Sequence, residues 1–148
     1  MKVFRNQFQV YINYDLKGNN NIGIVTLVKK DLQVVDQLFS LDGRILGIKC
    51  QHIQIWNVYP LSGAENKKNR ETFFRENLNN IMMNWKDHSK YVFQLGDHNC
   101  IYRKEDSLNN AGQHMQPGLI SHLKIHGLKD GWVKINGEGR SSILKIQE

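Results

Sequence analysis

The chain has 148 residues, of which 40% are hydrophobic and 23% are charged, a balance typical of folded proteins and not of disordered ones. This length fits a single domain over residues 1–148 and leaves no room for two domains of ordinary size. The formal net charge of +6 favours polyanionic partners such as nucleic acid, and two widely spaced cysteines exclude a disulfide framework.

The first half of the chain has the patterns of β-strands. Phe8, Val10 and Ile12 alternate with other residues, which predicts a strand with one buried face. The nearly continuous apolar run from Ile22 to Val28 predicts a strand that is covered on both faces. Residues 17–21, rich in Gly and Asn, predict a hairpin turn between these two strands.

Three more strands are predicted before residue 60. Val34–Val35 predicts a weak strand, and an Asp-Gly turn at residues 41–44 leads to a strand from Ile45 to Cys50. Alternating residues from Ile53 to Tyr59 predict the third strand. It ends at a proline, because proline lacks the N–H that a sheet ladder needs.

The second half changes to helical periodicity. Ser62 and Glu65 have the spacing of a capping box, which predicts the start of a helix. An apolar stripe at helical spacing comes next and predicts the body of that helix. The stripe consists of Phe74, Leu78, Ile81 and Trp85, widened by Phe73 and Met82.

A short strand, Tyr91–Leu95, is predicted after this helix. Pro117 then opens a second predicted helix, which ends at a glycine cap, Gly127, and residues 128–133 predict a last strand. The order of these elements predicts an α+β fold, with helices packed on one face of a mixed sheet.

A candidate site directly follows the strand Tyr91–Leu95. Asp97 and Asn99 are two residues apart at the C-terminal edge of that strand, so both side chains can point into one crevice. Asp97 can orient or deprotonate a water, and Asn99 can hold a phosphate oxygen or the same water. The alternative is a turn rich in Asx residues, in which both side chains bind nearby backbone groups.

An ordered set of motifs resembles the endonuclease/exonuclease/phosphatase superfamily. Residues 96–99 (GDHN) resemble its G-D-F-N signature, with His in place of Phe, and residues 57–62 (NVYPLS) resemble its N-V-Y-A-P-S segment. Residues 23–28 (GIVTLV) are similar to its G-V-A-I-L-V strand, and residues 128–132 (LKDGW) resemble L-x-D-x-W-R. The set covers most of residues 8 to 133 and is closest to the endonuclease domains of non-LTR (LINE-type) retroelements.

The resemblance implies a DNase I-like α/β/β/α sandwich that hydrolyses phosphodiesters with a metal-activated water. It implies that Asp97 binds Mg²⁺ and positions or activates the nucleophile, that Asn99 binds the phosphate, and that Tyr59 donates its hydroxyl to the scissile phosphate. It further implies that Tyr59 and Asp97 end two strands at the same edge of one sheet, and that their side chains converge with that of Asn99.

Some family features have no counterpart in this sequence. The metal-binding Glu and an Asn-bearing first strand of the family lie upstream of residue 1, and no Ser-Asp-His segment follows Ser142. We therefore expect a domain truncated at both ends, without its first strands and its C-terminal segment. With one carboxylate at the expected site, Mg²⁺ is expected to bind weakly, because it usually needs carboxylates together with substrate oxygens.

Basic residues cluster near predicted strand ends and at the predicted helix start, and they are expected to line a phosphate track on DNA. The alternative interpretation is that these residues form an ordinary solvated surface. They are Lys29, Lys30, Lys67, Lys68, Arg70, Arg103 and Lys104. Separately, His122 and His126 have the i, i+4 spacing of two zinc ligands, but without an evident third ligand we expect them on the helix surface.

The expected function is Mg²⁺-dependent hydrolysis of DNA by a retroelement-type endonuclease domain. One alternative is a non-catalytic remnant that binds nucleic acid or protein, with self-association through exposed sheet edges. Another is a phosphatase acting on a different phosphate ester. No apolar run is long enough to span a membrane, and the cysteine usage favours an intracellular location, with nucleus and cytoplasm both open.

Overall fold

The computed structural model describes residues 6–16, 23–85, 90–101, 103, 115–131 and 134. The strands in these residues are β1 (Phe8–Tyr14), β2 (Gly23–Lys29), β3 (Asp36–Phe39), β4 (Ile45–Cys50), β5 (Ile53–Val58) and β6 (Tyr91–Gly96). The α-helices are α1 (Lys67–Thr72), α2 (Asn79–Asn84) and α3 (Pro117–Ile125). The α+β class expected from the sequence is confirmed. Within the same residues, no helix is long and apolar enough to cross a membrane.

The chain divides into two compact units whose segments alternate along the sequence. The first unit contains the described part of Met1–Leu61 together with Asn80–His98. The second contains Ser62–Asn79 and the described residues from Asn99 onward. The single domain expected over residues 1–148 stays a prediction.

The first unit contains two sheets that face each other. β1 and β2 form an antiparallel pair, and the other sheet has the order β3-β4-β5-β6, in which β5 and β6 are parallel. The core between the sheets contains Ile24 and Val28 from β2 and Leu46, Ile48 and Cys50 from β4. Burial raises the pKa of the Cys50 thiol, so this side chain stays protonated and serves as apolar packing.

The buried face of β1 is the opposite of the one predicted. Ile12 pairs with Val25 on the outer face, where both are exposed, and the inner face carries Asn13. The Nδ2 of Asn13 donates to the carbonyl of Ile45 over 2.8 Å. The expectation that β2 is covered on both faces is also wrong, because its buried side chains, such as Ile24, lie on the inner face. The inner face of β1 carries Gln9 and Asn13 together with Tyr11, so hydrophobic periodicity indicated the outer face instead.

The predicted Asp-Gly turn connects β3 and β4. The Ser40 hydroxyl donates to Asp42 over 2.6 Å and accepts the N–H of Ile45 over 2.9 Å, which closes the turn. β3 pairs with β4 from Asp36 with Lys49 to Phe39 with Leu46, so the strand predicted at Val34–Val35 starts two residues later, at Asp36. The hairpin turn predicted at residues 17–21 lies outside the described residues.

Two tryptophans pack on the other face of the four-stranded sheet. The ring of Trp85 contacts that of Trp56 edge-to-face, with centroids 5.0 Å apart. A Cβ at Gly47 would lie 2.7 Å from Trp85 and 2.9 Å from Trp56, so this contact requires glycine on β4. Asp36 accepts the Trp85 indole N–H over 2.8 Å, and the Lys49 ammonium lies 4.2 Å from a Trp85 ring centroid. These contacts hold Trp85, the first residue after α2, against this sheet.

The second unit begins without the capping box predicted at Ser62 and Glu65. A 3₁₀ turn, Ala64–Asn66, precedes α1, and its N-cap is Gly63 with no side-chain cap hydrogen bond. Instead, the Asn66 side chain donates to the Ser62 carbonyl over 2.7 Å. The Ser-x-x-Glu spacing was correct for a helix start, but Asn66 makes the bond that stabilises the turn.

A π-helical segment, Phe73–Leu78, joins α1 to α2. It buries Phe73, Phe74 and Leu78, and the two phenylalanine rings pack edge-to-face at 5.2 Å. This confirms the apolar stripe predicted for the helix. Neighbouring positions 73 and 74 thus both face the interior.

The carboxylate of Glu71 binds the beginning of α3. It accepts the backbone N–H of Gly118 over 2.8 Å and the side-chain amide of Gln116 over 2.5 Å, and it forms an ion pair with Arg75. A carboxylate at a helix N-terminus satisfies free N–H groups there and interacts favourably with the helix dipole. Burial alone would raise the pKa of Glu71, but these hydrogen bonds and the Arg75 charge outweigh it and lower the pKa.

His122 is fully buried, so the expectation that it lies on the helix surface is wrong. Its Nδ1 lies 2.5 Å from Asn79 Oδ1, and the Nε2 of the half-buried His126 lies 3.0 Å from the same oxygen. Because the Asn79 amide nitrogen donates to the Arg75 carbonyl, its oxygen faces the two imidazoles and accepts from both. The i, i+4 histidines therefore join α3 to Asn79 as hydrogen-bond donors.

The glycine cap predicted for α3 is confirmed. The N–H of Leu128 donates to the Leu123 carbonyl over 2.8 Å, and the N–H of Gly127 donates to the Lys124 carbonyl, which together form a Schellman motif. The last strand predicted at residues 128–133 is absent from residues 128–131, and residues 132 and 133 lie outside the described chain.

Removing the Glu71 carboxylate should destabilise the protein in a pH-dependent way. Because the folded pKa is below the unfolded one, the stabilisation is present above the unfolded pKa and is lost as the pH falls through the folded pKa. Glu71→Ala is expected to lower the free energy of unfolding by about 1–3 kcal/mol at pH 7, and by much less at about pH 3. Urea unfolding followed by circular dichroism at both pH values measures this.

The matched control is Glu76→Ala, which removes an exposed carboxylate five residues further along the same helical stretch. Its effect should stay within about 0.5 kcal/mol at either pH. Equal losses in the two variants, or a Glu71→Ala deficit that persists unchanged at pH 3, would contradict the assigned role of Glu71.

Candidate functional site

The candidate site lies where β5 and β6 end side by side. These strands are parallel, and their pairing runs from Ile53 with Tyr91 to Val58 with Gly96. The next residues, Tyr59 and Asp97, therefore leave the sheet at the same edge, on strands about 4.8 Å apart. This confirms the expected placement of Tyr59 and Asp97 after two strands that end at the same edge of one sheet.

Gly96 shapes the end of β6. Its φ of 124° lies in a region that side chains with a Cβ rarely adopt, and a Cβ at this position would overlap the carbonyl oxygen of Val58 on β5. Glycine therefore allows β6 to stay paired up to its last residue and then turn sharply. This geometry requires glycine at the position before Asp97.

Tyr59 is held at both its backbone and its ring. Its N–H donates to the Arg44 carbonyl over 2.9 Å, and Arg44 Nη1 donates to the Tyr59 carbonyl over 3.0 Å. The guanidinium carbon of Arg44 lies 5.9 Å from the centroid of the Tyr59 ring, which packs against the core between the sheets. A buried Arg44 thus fixes Tyr59, a role that sequence reasoning missed. Its position directly after the Asp-Gly turn was the available signal.

Asn57 is a second residue that sequence reasoning left without a role. Its side-chain amide donates to Thr26 Oγ1 over 3.0 Å and to the Val25 carbonyl over 3.3 Å, which attaches β5 to β2. Asn57 shares its strand face with Tyr59 two residues later. A polar residue within the alternating apolar face of β5 was the sequence signal.

Asp97 is exposed, and the His98 side chain next to it is half-buried. The Nε2 of His98 lies 3.0 Å from the side-chain nitrogen of Gln94. Burial lowers the pKa of His98, and the neighbouring Asp97 carboxylate offsets this only in part. The imidazole is therefore neutral at pH 7, and Asp97 supplies the negative charge at this position.

Asn99 belongs to the second unit, so its predicted convergence with Tyr59 and Asp97 stays a prediction. Its φ of 51° is in the left-handed region, which Asn tolerates better than most residues. The side chain is half-buried. Asn99 accordingly marks the place where the chain leaves the first unit.

The described residues offer Mg²⁺ few ligands. No group of three or more His, Cys, Asp or Glu side chains among them is arranged to hold a metal ion. The exposed Asp97 carboxylate suits one ligand of a Mg²⁺ ion that keeps several waters and takes the rest of its oxygens from a phosphate. Asp97 is therefore the residue that would hold the metal. With this single carboxylate, Mg²⁺ would bind weakly.

The basic residues predicted to bind DNA lie in both units of the chain. Lys29 and Lys30 are exposed at the end of β2 in the first unit. In the second unit, Lys67 and Lys68 are exposed at the start of α1 and line a cavity of about 470 Å³ together with Glu65, Glu71, Gln116 and Pro117. The cavity lining contains none of the predicted catalytic residues.

Arg70 is not available to DNA. It is 3% exposed, and its guanidinium donates to the Gly63 carbonyl over 2.6 Å, which ties the helix start to the preceding turn. The expectation that Arg70 lines a phosphate track on DNA is therefore wrong. Arg103 is half-buried, and Lys104 lies outside the described residues.

The end of β6 should be intolerant of a side chain at Gly96. Gly96→Ala is expected to lower the free energy of unfolding by about 2–4 kcal/mol, because it adds an overlap with the Val58 carbonyl to the cost of a positive φ. Gly127→Ala is the matched control, since Gly127 has a φ of 63° and no atom within 4 Å of the added Cβ. It should cost about 1 kcal/mol. Equal losses in urea unfolding would contradict the close approach of β5 and β6 at this point.

No protein-family model matches this chain, and no curated protein matches it. The family resemblance therefore rests on the residues themselves. Its two central motifs, residues 57–62 and 96–99, start within β5 and at the last residue of β6. Those strands are neighbours that end at one edge of a single sheet.

Proposed function

We propose that this chain is a DNase I-like endonuclease domain of the retroelement type, which hydrolyses DNA phosphodiesters with Mg²⁺. The observation that carries the proposal is the position of Tyr59 and Asp97 after neighbouring parallel strands. A turn rich in Asx residues does not require this arrangement, whereas a phosphodiesterase site requires a hydrogen-bond donor and a carboxylate near the same phosphate.

In the proposed mechanism, Asp97 orients a water and removes its proton as the water attacks phosphorus. The bond from phosphorus to one bridging oxygen of the DNA chain breaks, and the leaving oxygen takes a proton from solvent. The Tyr59 hydroxyl donates a hydrogen bond to a non-bridging phosphate oxygen, and Asn99 binds the phosphate as well. Arg44 holds Tyr59 in place through the backbone and the ring. Mg²⁺, when bound at Asp97, supplies positive charge that stabilises the developing charge on the phosphate.

The layers of the first unit support a partial α/β/β/α sandwich. The sheet of β1 and β2 covers one face of β4, and Trp85, directly after α2, packs on the other face. This order of two facing sheets with the end of a helix on the outer side is what we expect of part of such a sandwich. The net charge of +6 and the exposed Lys29, Lys30, Lys67 and Lys68 support DNA as the partner. The presence of only two, widely spaced cysteines supports an intracellular location.

A second candidate function is a non-catalytic module that binds nucleic acid or protein. It is favoured by the single carboxylate at the site and by the lack of a three-ligand metal group among the described residues. Such a module keeps the basic surface and loses hydrolysis. DNA binding and DNA cleavage therefore have to be measured separately.

Nicking of supercoiled plasmid by the purified chain tests the catalytic proposal. We expect open-circular DNA to accumulate with Mg²⁺ and not with EDTA. Asp97→Ala should slow nicking by about 10²–10⁴-fold, because it removes the proposed base and metal ligand. Asp31→Ala, which removes an exposed carboxylate in the turn after β2, should leave the rate unchanged. Equal nicking by both variants would exclude Asp97 from the reaction, and no nicking at high protein concentration would favour the binding module.

DNA affinity should be weak and should fall steeply with salt. Fluorescence anisotropy with a labelled duplex is expected to give a Kd of roughly 10⁻⁴–10⁻⁶ M near physiological salt. The pairs Lys29→Ala/Lys30→Ala and Lys67→Ala/Lys68→Ala should each reduce the slope of log K against log salt by up to about 1.8. The pair Lys124→Ala/Lys129→Ala, at exposed positions outside the predicted track, is the control. Affinity that is independent of salt would contradict phosphate binding.

A further inference from the structure

Three polar side chains of the second unit meet at one point beside α3. His122 lies on α3, His126 is the C-terminal cap of that helix, and Asn79 is the first residue of α2. The Nδ1 of His122 lies 2.5 Å from Asn79 Oδ1, and the Nε2 of His126 lies 3.0 Å from the same oxygen. Two imidazole nitrogens and one carboxamide oxygen therefore converge on one small volume.

The direction of the two ring nitrogens is the one that metal binding requires. In each hydrogen bond the acceptor lies near the direction in which the ring N–H points. The lone pair that a deprotonated ring nitrogen gives to a metal points the same way. Both imidazoles are thus aimed at a single place, and two histidines four residues apart on a helix are spaced as zinc ligands are in known helical sites.

We propose that His122 Nδ1, His126 Nε2 and Asn79 Oδ1 bind a divalent transition-metal ion of the Zn²⁺ type, with water as the fourth ligand. The sequence alone offers the two histidines without a third ligand. The fold supplies that ligand from 43 residues away, at a position that periodicity does not identify. The inference is independent of the nuclease proposal and of Mg²⁺ at Asp97.

The distances among the three donor atoms are close to those of such a site. Tetrahedral Zn²⁺ holds nitrogen and oxygen ligands at about 2.0–2.2 Å, which places neighbouring donor atoms about 3.4 Å apart. From their separations of 2.5 and 3.0 Å, the donor atoms need to move apart by about 0.4–0.9 Å. Small rotations of the Asn79 carboxamide and of the half-buried His126 ring are enough for this.

Burial differs among the three ligands in a way that suits an ion with one bound water. His122 is fully buried and Asn79 is 5% exposed, whereas His126 is half-buried. The ion and its water would therefore enter on the His126 side. The ring of Phe74, itself fully buried, lies 6.1 Å from that of His122, so the deep side of the site is apolar. An apolar surrounding limits solvent access to a bound metal.

The third ligand is already oriented. The Nδ2 of Asn79 donates to the Arg75 carbonyl over 3.0 Å, which directs Oδ1 towards the two imidazoles. Hydrogen bonds of this kind fix metal ligands in place and commonly change metal affinity by about 10–100-fold when they are lost.

The ligand set selects the metal. Imidazole nitrogen suits Zn²⁺, Cu²⁺ and Ni²⁺, whereas Mg²⁺ requires an octahedral set of oxygens. Zn²⁺ is therefore expected to bind here and Mg²⁺ is not. A carboxamide is a weaker ligand than a thiolate or a carboxylate, so we expect a Kd for Zn²⁺ of about 1–100 µM, weaker than that of sites with four Cys and His ligands.

Isothermal titration of the full chain with ZnCl₂, after treatment with EDTA and dialysis, tests the proposal. We expect one Zn²⁺ per chain in this affinity range, unchanged by excess Mg²⁺. Zn²⁺ at ten times its Kd should raise the folding equilibrium constant about tenfold in urea unfolding. A parent that binds no Zn²⁺ at about 1 mM would overturn the proposal.

Three variants separate metal binding from the hydrogen bonds. His126→Gln keeps an N–H donor for Asn79 but removes the imidazole, and should raise the Kd at least about tenfold. Asn79→Asp replaces the carboxamide with a carboxylate and should lower the Kd at least about tenfold. His52→Ala removes an exposed histidine in the turn between β4 and β5 and should leave the Kd unchanged. Equal weakening by His52→Ala and His126→Gln, or an Asn79→Asp variant that binds no tighter, would overturn the proposal.

Two further measurements do not depend on how these variants fold, which circular dichroism establishes. Co²⁺ bound to the parent should show the visible spectrum of nitrogen and oxygen ligands. A thiolate charge-transfer band would assign the metal to a cysteine and overturn the proposal. Asp97→Ala should bind Zn²⁺ like the parent, whereas loss of binding in this variant would place the ion at the proposed nuclease site instead.

Discussion

The edge-to-face contact between Trp56 and Trp85 is the interaction on which the first unit depends. It requires a bare backbone at Gly47, so that two large rings can lie directly on β4. Trp56 is fully buried in β5, and packing on both faces of the sheet holds β5 between β4 and β6. The position of β5 then determines where Tyr59 leaves the sheet. A contact on the helical face of the sheet thus sets the geometry of the candidate site at the sheet edge.

Local patterns in the sequence identified the elements better than they identified what covers them. β4 and the Gly127 cap were predicted correctly, because an Asp-Gly turn and a Schellman motif depend on residues close in the chain. The buried face of β1 was not, because Ile12 and Tyr11 are both suitable for a core and long-range packing chooses between them. The burial of His122 was not predicted for the same reason, since its hydrogen-bond partner Asn79 is distant in sequence.

The candidate site shows the same difference between features that the local sequence identifies and contacts between distant residues. Asp97 was recognisable because it comes directly after a strand and carries a carboxylate, and Tyr59 because residues 57–62 resemble a family segment; the placement of both at one edge results from parallel pairing. The supporting residues Arg44 and Asn57 were not, because their roles consist of contacts to residues far away in the chain. Arg70 shows the converse error: a basic residue beside two exposed lysines is used inside the fold, where it binds a turn carbonyl.

The π-helical segment Phe73–Leu78 has a consequence for how the chain can change length. Its turn holds one residue more than an α-helical turn, and α1 before it and Asn79 after it are positioned by that extra residue. A deletion of one residue here would restore a regular helix with little change in rotation, because the six residues of the π-helical segment cover about the same angle as five residues of an α-helix, and Asn79 would still face His122. The same deletion in a regular α-helix would rotate the rest of the helix by about 100°, so this segment is where the helix would best tolerate the loss of one residue.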